Sequence, residues 1–357
     1  MSVDYSDAAV WVAQFVEAQK VFHAYEVCPP RLGTYSLDYT DSYPSVIVRG
    51  CGDRLGYGSN AVVLHSRTQG SNWTPHAVGE HTTHIVTFVQ LMGTRSSQRS
   101  STENKIISAT QGEIYLHDMN TSKRITQRTT TGGVSCSFGV LHPFNYLLEA
   151  STSNTIQILD ANTLQVVDNS HLRVSKQCNS FCSIPGKDDL FIAGGDEFVN
   201  YYDIRKLGEP LHSIHMDNRI ITGLAANSRR LFATGNVGSD DLLGFVNGYE
   251  LYDDTEVLIA EEPYMTRGSL QCDEGKLIFM NINKQICIWS TDTCEALHNP
   301  PYDCYMSWRT AIRLNEGGNT LIVGGTAGSS YLSADLRYYS FGKPRTTPHT
   351  RKRCYIS

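Results

Sequence analysis

Three groups of residues in this chain have types and spacings that could do chemistry, and each lacks a part that the chemistry requires. The segment Gly56–Ala61 has the glycine spacing of a dinucleotide-binding loop, but the sequence continues as a strand where the pyrophosphate needs the N-terminus of a helix. His81 and His84 would need further ligands to hold a metal, and Cys178 and Cys182 lack a second pair at zinc spacing. We therefore expect no cofactor and no metal.

Paired carboxylates, which could act as general acid and base, occur at Asp188–Asp189, Asp240–Asp241 and Asp253–Asp254. All three pairs lie in stretches with the composition of turns, where acidic side chains are usually solvated. The sequence also has no Gly-x-Ser-x-Gly motif and no phosphate-binding Gly-Lys-Ser/Thr motif. These observations predict that the protein is not an enzyme. A catalytic site assembled from distant loops is the alternative that stays open.

The composition is that of a folded, weakly acidic protein. Of its 357 residues, 40% are hydrophobic and 18% are charged, with a net charge of -6. Nucleic acid is not expected as the main partner, because phosphate binding needs a concentrated positive surface. No apolar run reaches the roughly 18 residues of a membrane helix, and the N-terminus does not resemble a secretory signal. We expect no membrane partner and a location in the cytoplasm, the nucleus or both.

The elements that must position any site are predicted by an internal repeat. Three segments share an alternating apolar strand, then Asp or Ser, then Asn or Asp followed by Thr: Ile114–Thr121, Ile156–Thr163 and Ile286–Thr293. Alternation with a period of two indicates a β-strand. The polar residues after it are typical of a tight turn, because their side chains can accept hydrogen bonds from the backbone just beyond them.

Looser copies extend the repeat to seven. With the Asp or Ser as a marker, the copies stand at 66, 118, 160, 203, 253, 290 and 335, in steps of 52, 42, 43, 50, 37 and 45 residues. These steps centre on the roughly 40–45 residues of a four-stranded propeller blade. Helical periodicity is scarce after residue 25. The sequence therefore predicts an all-β fold, a seven-bladed β-propeller of four-stranded antiparallel blades.

The repeat resembles the WD-repeat family, whose blades end in Trp-Asp or a conservative relative. The matching dipeptides are Tyr202-Asp203, Tyr252-Asp253, His117-Asp118, Leu159-Asp160 and Trp289-Ser290, and the resemblance covers about residues 31–341. The family's Gly-His near the start of a blade has its closest copy at Glu80-His81. The resemblance implies a buried His–Ser/Thr–Trp–Asp network, which we expect to be absent from most blades of this chain.

Three domains follow from this reading. Residues 1–30 are predicted to hold an amphipathic N-terminal helix (Asp7–Glu26) and a linker, residues 31–341 the propeller, and residues 342–357 a basic, flexible tail. The helix either packs on the propeller or is offered to a partner. The strand near 32–39 is predicted to close the ring by supplying the missing outer strand of the last blade.

Two insertions lengthen the repeat. Thr94–Asn104 is polar and low in complexity, so we expect a disordered loop. Asn236–Val246 contains Asp240 and Asp241 and lies between the second and third strands of the fifth blade. By the geometry of the family, this second insertion lies on a face that commonly binds partners.

The segment from Leu190 to Arg205 resembles the extended box of WD-repeat substrate receptors of cullin–RING ubiquitin ligases. In those proteins an Asp-x-Arg at the end of a blade presents its arginine to the adaptor. Here the motif is Asp203 with Arg205, and Asp335 with Arg337 repeats it in the last blade. The planar fork of arginine suits a carboxylate or a pair of carbonyls. The alternative is that a charge after the turn only solvates it.

The function predicted from the sequence is a non-catalytic, protein-interaction propeller that serves as a scaffold or as the recognition subunit of a larger complex. Its partners would be proteins or peptides, with a ubiquitin-ligase adaptor as the special case. Two alternatives stay open: an enzyme with its site at the mouth of the propeller channel, and an RNA-binding propeller with a basic face.

Overall fold

The structure is a computed structural model of the chain. It describes residues 33–40, 43, 45–52, 60–67, 74–81, 85–92, 104–130, 135–141, 145–238, 240–253, 255–263, 270–280, 286–298, 311–314, 318, 320–327 and 333–340. The predicted N-terminal helix, the basic tail and most of the loop at 94–104 lie outside these residues. Among the residues described, no helix is long and apolar enough to cross a membrane.

The described residues form antiparallel sheets in which the strands follow one another in chain order. The first three sheets have four strands each. Their strands are β1 (Gly33–Asp38), β2 (Val46–Gly52), β3 (Asn60–Ser66) and β4 (Thr74–His81); β5 (Phe88–Met92), β6 (Lys105–Ala109), β7 (Glu113–Asp118) and β8 (Arg124–Thr129); and β9 (Ser135–Leu141), β10 (Tyr146–Ser151), β11 (Thr155–Asp160) and β12 (Val166–Arg173).

The remaining sheets have six, four and three strands. The six-stranded sheet contains β13 (Cys178–Ile184), β14 (Lys187–Asp203), β15 (His212–Ala226), β16 (Arg230–Val237), β17 (Asp240–Glu250) and β18 (Glu256–Pro263). The next contains β19 (Leu270–Cys272), β20 (Lys276–Met280), β21 (Ile286–Ser290) and β22 (Ala296–His298), and the last contains β23 (Ala311–Leu314), β24 (Thr320–Ala327) and β25 (Ser333–Ser340).

The core lies between neighbouring sheets. Val48 of the first sheet packs with Val89 and Ile106 of the second, and the facing sides of later sheets form similar apolar clusters. One further cluster joins Leu37 of the first sheet to Ile322 of the last. The sheets therefore pack face to face in a closed ring, which is the arrangement of a propeller.

The prediction of seven separate four-stranded blades is wrong. The described residues form five sheets of blade size, four with four strands and one with three, together with the six-stranded sheet. Strands β14 and β15 have 17 and 15 residues; β14 joins two predicted strands of one blade, and β15 runs on where a blade boundary was expected. Glu197 and Asn218 turn the chain inside these strands through positive φ angles of 62° and 56°. The period of the sequence repeat therefore indicates how often a hairpin recurs along the chain. It does not show how the strands are grouped into hydrogen-bonded sheets.

Strand pairing also shows that two of the Asp or Ser residues used as repeat markers do not lie at the end of a third strand. The last residue of the third strand lies opposite the first residue of the second strand, as in Lys105 with Asp118 and Tyr146 with Asp160. In the fifth and seventh copies the residues in this place are Glu250, opposite Arg230, and Ser340, opposite Thr320. The markers at 253 and 335 are therefore misplaced by three and five residues, because apolar alternation alone does not locate the end of a strand.

The predicted turn chemistry is confirmed. The Oδ1 atom of Asp118 accepts hydrogen bonds from the backbone N–H groups of Asn120 (2.9 Å) and Thr121 (2.7 Å). Asp160 and Ser290 accept the equivalent pairs of bonds in their own turns. Each short polar side chain thus satisfies two N–H groups that the strand leaves without a partner.

The strand predicted at 32–39 forms, but in a different place. As β1 it pairs with β2, so in the described residues it belongs to the first sheet and not to the last. It is the innermost strand of its sheet, since Thr40, which follows its last residues, faces the central cavity. The predicted insertion at 236–246 is also structured, because its residues extend the β16–β17 hairpin, with Asn236 opposite Gly244 and Val237 opposite Asp240.

A buried carboxylate joins three sheets where the ring closes. Asp38, at the end of β1, is 1% exposed. Its Oδ2 atom accepts hydrogen bonds from Leu91 N (2.7 Å) and Gln90 Nε2 (2.8 Å) of the second sheet. Its Oδ1 atom lies 2.8 Å from Nε of Arg313 in the last sheet. One side chain therefore connects the first, second and last sheets.

We expect Asp38→Asn to lower the free energy of unfolding by about 3 kcal/mol, because it removes the charge that compensates the Arg313 guanidinium in a largely water-free place. Urea unfolding followed by circular dichroism measures this loss. Asp217→Asn is the matched control. Asp217 forms an ion pair with His215 but its side chain is 92% exposed, so the loss should stay below about 0.5 kcal/mol. Equal losses in the two variants would contradict a special role of Asp38.

Candidate functional site

The arrangement most like catalytic machinery is buried between the first two sheets. Nε2 of His81 lies 2.8 Å from Oγ of Ser108, and the same Oγ lies 2.9 Å from Nε2 of His117. Nδ1 of His81 lies 3.7 Å from Oε2 of Glu113. A serine, a histidine and a carboxylate in sequence resemble a nucleophile with its base and its orienting acid.

Burial makes a catalytic role for this group untenable. Ser108 and the side chain of His81 are fully buried, and His117 is 1% exposed, so no substrate can reach the hydroxyl. The His81 ring stacks on Tyr115 at 4.1 Å, and the Cα of Gly79 approaches the His117 ring so closely that a Cβ would lie 2.5 Å from it. The group is therefore a structural link between two sheets.

This link resembles, in altered form, the buried network that the WD-repeat resemblance implies. Glu80-His81 was the closest copy of the Gly-His dipeptide, and its histidine occupies the expected role. His117 stands where the resemblance places tryptophan, and Glu113 stands near the histidine as the acid. Burial lowers the pKa of His81 and of His117 to about 4, so both rings are neutral at pH 7.

We expect the protein to lose stability as the pH falls from about 6.5 to 4. The unfolded chain protonates His81 and His117 near pH 6.5, whereas the folded state resists protonation down to about pH 4. Between these values each ring makes stability fall by about 1.4 kcal/mol per pH unit. His117→Gln should reduce this slope, and His215→Gln, at a ring that is 70% exposed, should leave it unchanged. The test is to measure the urea midpoint of unfolding of the wild type and of both variants from pH 7 to 4.

The predicted adaptor arginine is already bound to its own chain. Nε and Nη2 of Arg205 donate to the two carboxylate oxygens of Asp203 at 2.9 and 2.7 Å, and Nη1 lies 2.8 Å from Oδ2 of Asp189. The guanidinium holds the pKa of Asp203 below its usual value. The Arg205 side chain is still 64% exposed, so one face of the planar group is open to a partner.

The other predicted binding residues do not gather around Arg205. Asp335 and Arg337 lie inside β25, opposite Gly325 and Val323, and not at the end of a strand. Asp240 and Asp241 begin β17, at the end of the sheet opposite to the end where Asp203 lies. The structure therefore brings Asp203 and Arg205 together and leaves the other four in separate places.

One face of the ring of sheets is formed by the ends of the first and third strands of each sheet. The ends of first and third strands lie together, as shown by the bond from Leu251 N to Arg229 O (2.8 Å) and that from Ile204 N to Asp189 O (2.9 Å). We call this side of the ring the lower face. Arg205 lies on it, because it follows the third-strand segment that ends at Asp203.

Two of the three exposed large hydrophobic residues in the described part of the chain lie on the lower face. Leu211 is 54% exposed and Tyr252 is 40% exposed. They are joined through buried Tyr201, whose carbonyl accepts a bond from Leu211 N (2.8 Å) and whose ring lies 5.3 Å from that of Tyr252. Tyr252 also has a φ angle of 63°, which is uncommon for an aromatic residue. We call these two residues the Leu211–Tyr252 patch.

Polar contacts fix the lower face beside this patch. Arg230 donates from Nη1 to the carbonyl of Asp292 (2.7 Å) in the next sheet and from Nε to Glu250 Oε1 (3.0 Å). Ser228 donates from its backbone N–H and its hydroxyl to the two oxygens of Glu274, at 3.0 and 2.7 Å. These bonds tie the six-stranded sheet to its neighbour, so the patch stands on a rigid support.

A central cavity of about 510 Å³ runs between the innermost strands and reaches the lower face at Asn227 and Glu274. Its volume lies in the range of sites that take a small ligand or one side chain. The aromatic residues of its wall, Phe88, Phe138 and Phe181, come from the second to fourth sheets, and the charged residues, Asp273, Glu274 and Arg313, come from the last two sheets. The polar and sulfur-bearing members are Thr40, Gln90, Cys182, Ser183, Asn227, Gln271, Cys272, Asp273, Glu274 and Arg313.

Neither thiol in the cavity wall is poised to react. Burial raises the pKa of Cys182 to about 12 and that of Cys272 well above its usual value, so both are protonated at pH 7. The described residues also contain no group of three or more His, Cys, Asp or Glu side chains that could hold a metal ion.

Comparison with known proteins identifies the fold alone. No family model matches the chain, and no curated protein matches it. Its structure is similar to the crystal structure of the WD40 β-propeller domain of Doa1, with a TM-score of 0.64 and 12% identity over 89% of this chain and 96% of that chain. The chain is a WD40-like β-propeller.

This likeness shows the fold and does not assign a function, because one fold supports many functions. The resemblance of the repeat pointed correctly to an all-β, WD40-like propeller, but not to the number of its blades. It did not predict the Leu211–Tyr252 patch, because an isolated leucine and a tyrosine in a turn form no sequence pattern. A weak signal was the apolar Leu211 directly after the turn-like stretch Lys206–Pro210.

Proposed function

We propose that this protein is a non-catalytic interaction propeller that binds another protein through its lower face. The observation that carries the proposal is the Leu211–Tyr252 patch, in which an aromatic ring and an aliphatic residue, each in contact with buried Tyr201, stay exposed on the lower face. Aromatic anchors of this kind dominate the energy of protein interfaces. A partner that buries both side chains would recover the cost of exposing them to water.

Charged residues around the patch suit the rim of an interface. Arg205, Lys206, Glu209 and Asp253 are exposed and carry both signs of charge. Mixed charge of this kind favours a specific protein surface over the uniform negative charge of a nucleic acid. The cavity wall in the described residues has no histidine, and its acidic side chains already accept internal bonds, which supports binding over general acid–base catalysis.

The test is a comparison of three tagged proteins recovered from cells that express the chain. We expect the double variant Leu211→Asn, Tyr252→Asn to lose at least one partner that the wild type retains, with affinity reduced about 30-fold for a loss of about 2 kcal/mol. Asparagine is chosen at 252 because it tolerates the positive φ angle. Quantitative mass spectrometry and then binding measurements with the purified partner give the result.

Ile125→Asn is the matched control for this test. Ile125 is 48% exposed, so it is as accessible as the two patch residues, but it lies on β8 in the second sheet. If all three proteins recover the same partners with equal affinity, the patch is not a binding surface and the proposal fails.

The role of substrate receptor for a cullin–RING ligase is a more specific form of this proposal. Its support is the sequence resemblance of residues 190–205 and the 64% exposure of the Arg205 side chain. The bonds of Arg205 to Asp203 and Asp189 limit this support, because they occupy the donors that an adaptor would need. An adaptor would therefore have to use the flat face of the guanidinium or displace one of these acids.

We expect Arg205→Ala to abolish recovery of a cullin adaptor if this specific role holds. Arg229→Ala is the control, because Arg229 is 54% exposed on the same face and also forms an ion pair, with Asp292. Loss of an adaptor in the first variant alone supports the receptor role. Recovery of no ligase subunit by the wild type rejects it and leaves the broader proposal intact.

A further inference from the structure

The acids in the wall of the central cavity have almost no hydrogen-bonding capacity left, whereas the arginine in the wall does. Asp273 Oδ1 accepts from the backbone N–H groups of Gly275 (2.9 Å) and Lys276 (2.7 Å), and its Oδ2 lies 2.6 Å from Nζ of Lys276. Glu274 accepts at both oxygens from Ser228. The carboxylates in the wall therefore already have donors and do not call for a cationic ligand.

Arg313 is the exception. Its Nε atom donates a hydrogen bond to the carbonyl of Tyr39 (3.4 Å) and lies 2.8 Å from Oδ1 of the buried Asp38, with which it forms an ion pair. Its two terminal nitrogens have no partner among the described residues, and its side chain is 31% exposed in the cavity wall. A guanidinium anchored through Nε presents its terminal N–H groups in a fixed orientation, which is the geometry for two-pronged recognition of an acceptor.

Among the described residues of the wall, the one negative charge without a cationic partner is that of Glu274, which lies toward the lower face and accepts from Ser228. The thiols of Cys182 and Cys272 are uncharged, the charge of Asp273 is compensated by Lys276, and that of Asp38 is compensated by the ion pair with Arg313. Phe88, Phe138 and other apolar residues of the opposite wall leave room for the aliphatic part of a side chain. The open donors thus face a space that suits a short carbon chain ending in an acceptor.

We infer that Arg313 is the binding group of the central cavity and that its ligand is the carboxylate of an aspartate or glutamate side chain on a protein partner. This inference rests on the proposed function, since it takes the ligand to be part of a protein. The partner would place an acidic residue in the cavity while another part of it covers the lower face.

Capped amino acids test the inference on the purified full chain. The probes are Nα-acetyl-glutamate N-methylamide, its glutamine counterpart of equal shape, and acetate, each titrated by ligand-observed NMR. We expect the glutamate compound to bind at least about tenfold more tightly than the glutamine compound, because only a charged carboxylate matches both terminal nitrogens. Equal binding of the two compounds, or no binding of either, overturns the inference.

Two variants locate the site. Arg313→Lys keeps a positive charge next to Asp38 but loses the planar fork, so the preference for glutamate should fall about tenfold. Ser183→Trp fills the cavity and leaves the Asp38–Arg313 pair untouched, so binding should disappear while the urea midpoint is retained. Unchanged binding in a folded variant of either kind overturns the inference, and the comparison of the wild type with two probes stands even if neither variant folds.

The outcome is separate from that of the proposed function. The Leu211→Asn, Tyr252→Asn variant should bind the glutamate compound as the wild type does, because its substitutions lie outside the cavity wall. Acetate binding as tightly as the glutamate compound would assign the cavity to a small free acid and would overturn the protein partner as its source.

Discussion

The fold depends on one buried ion pair, between Asp38 and Arg313. A ring of sheets has no natural end, so the first and last sheets must recognise each other across 275 residues of chain, and apolar packing between flat faces leaves their relative position free to slide. Asp38 removes this freedom because its Oδ2 atom accepts from Leu91 and Gln90 and its Oδ1 atom forms an ion pair with Arg313. Taking charges out of water is expensive, and the hydrogen bonds to Oδ2 together with the ion pair at Oδ1 offset that cost only when all three sheets are in place.

The same pair positions the central cavity. Arg313 can present its terminal nitrogens because Asp38 holds Nε, and Asp38 can do so because β1 is the innermost strand of the first sheet. A strand at the outer edge of the last sheet, as the sequence predicted for residues 32–39, would have left no acid at this point. The site and the closure of the ring are therefore one structural problem.

Periodicity and turn chemistry were predictable from the sequence because they are local. Asp118 and Asp160 bond to backbone groups two and three residues away, so their role is visible in a short stretch of letters. The continuity of β14 and β15, the exposure of Tyr252 and the pairing of Asp38 with Arg313 are set by contacts between distant segments. The shift of two markers has the same origin, since strand register is decided by the partner strand and not by alternation within the strand.

The hydroxyl of Ser108 lies between two neutral imidazoles but has a single proton to give. If it donates to one ring, it must accept from the other, so His81 and His117 take opposite tautomers. The carboxylate of Glu113 near Nδ1 of His81 favours a proton on that nitrogen, which leaves Nε2 of His81 as the acceptor and Nε2 of His117 as the donor. The two sheets are thus joined by a hydrogen-bond chain with a direction, running from the second sheet toward the first, and a reversal would require every proton in the chain to move together.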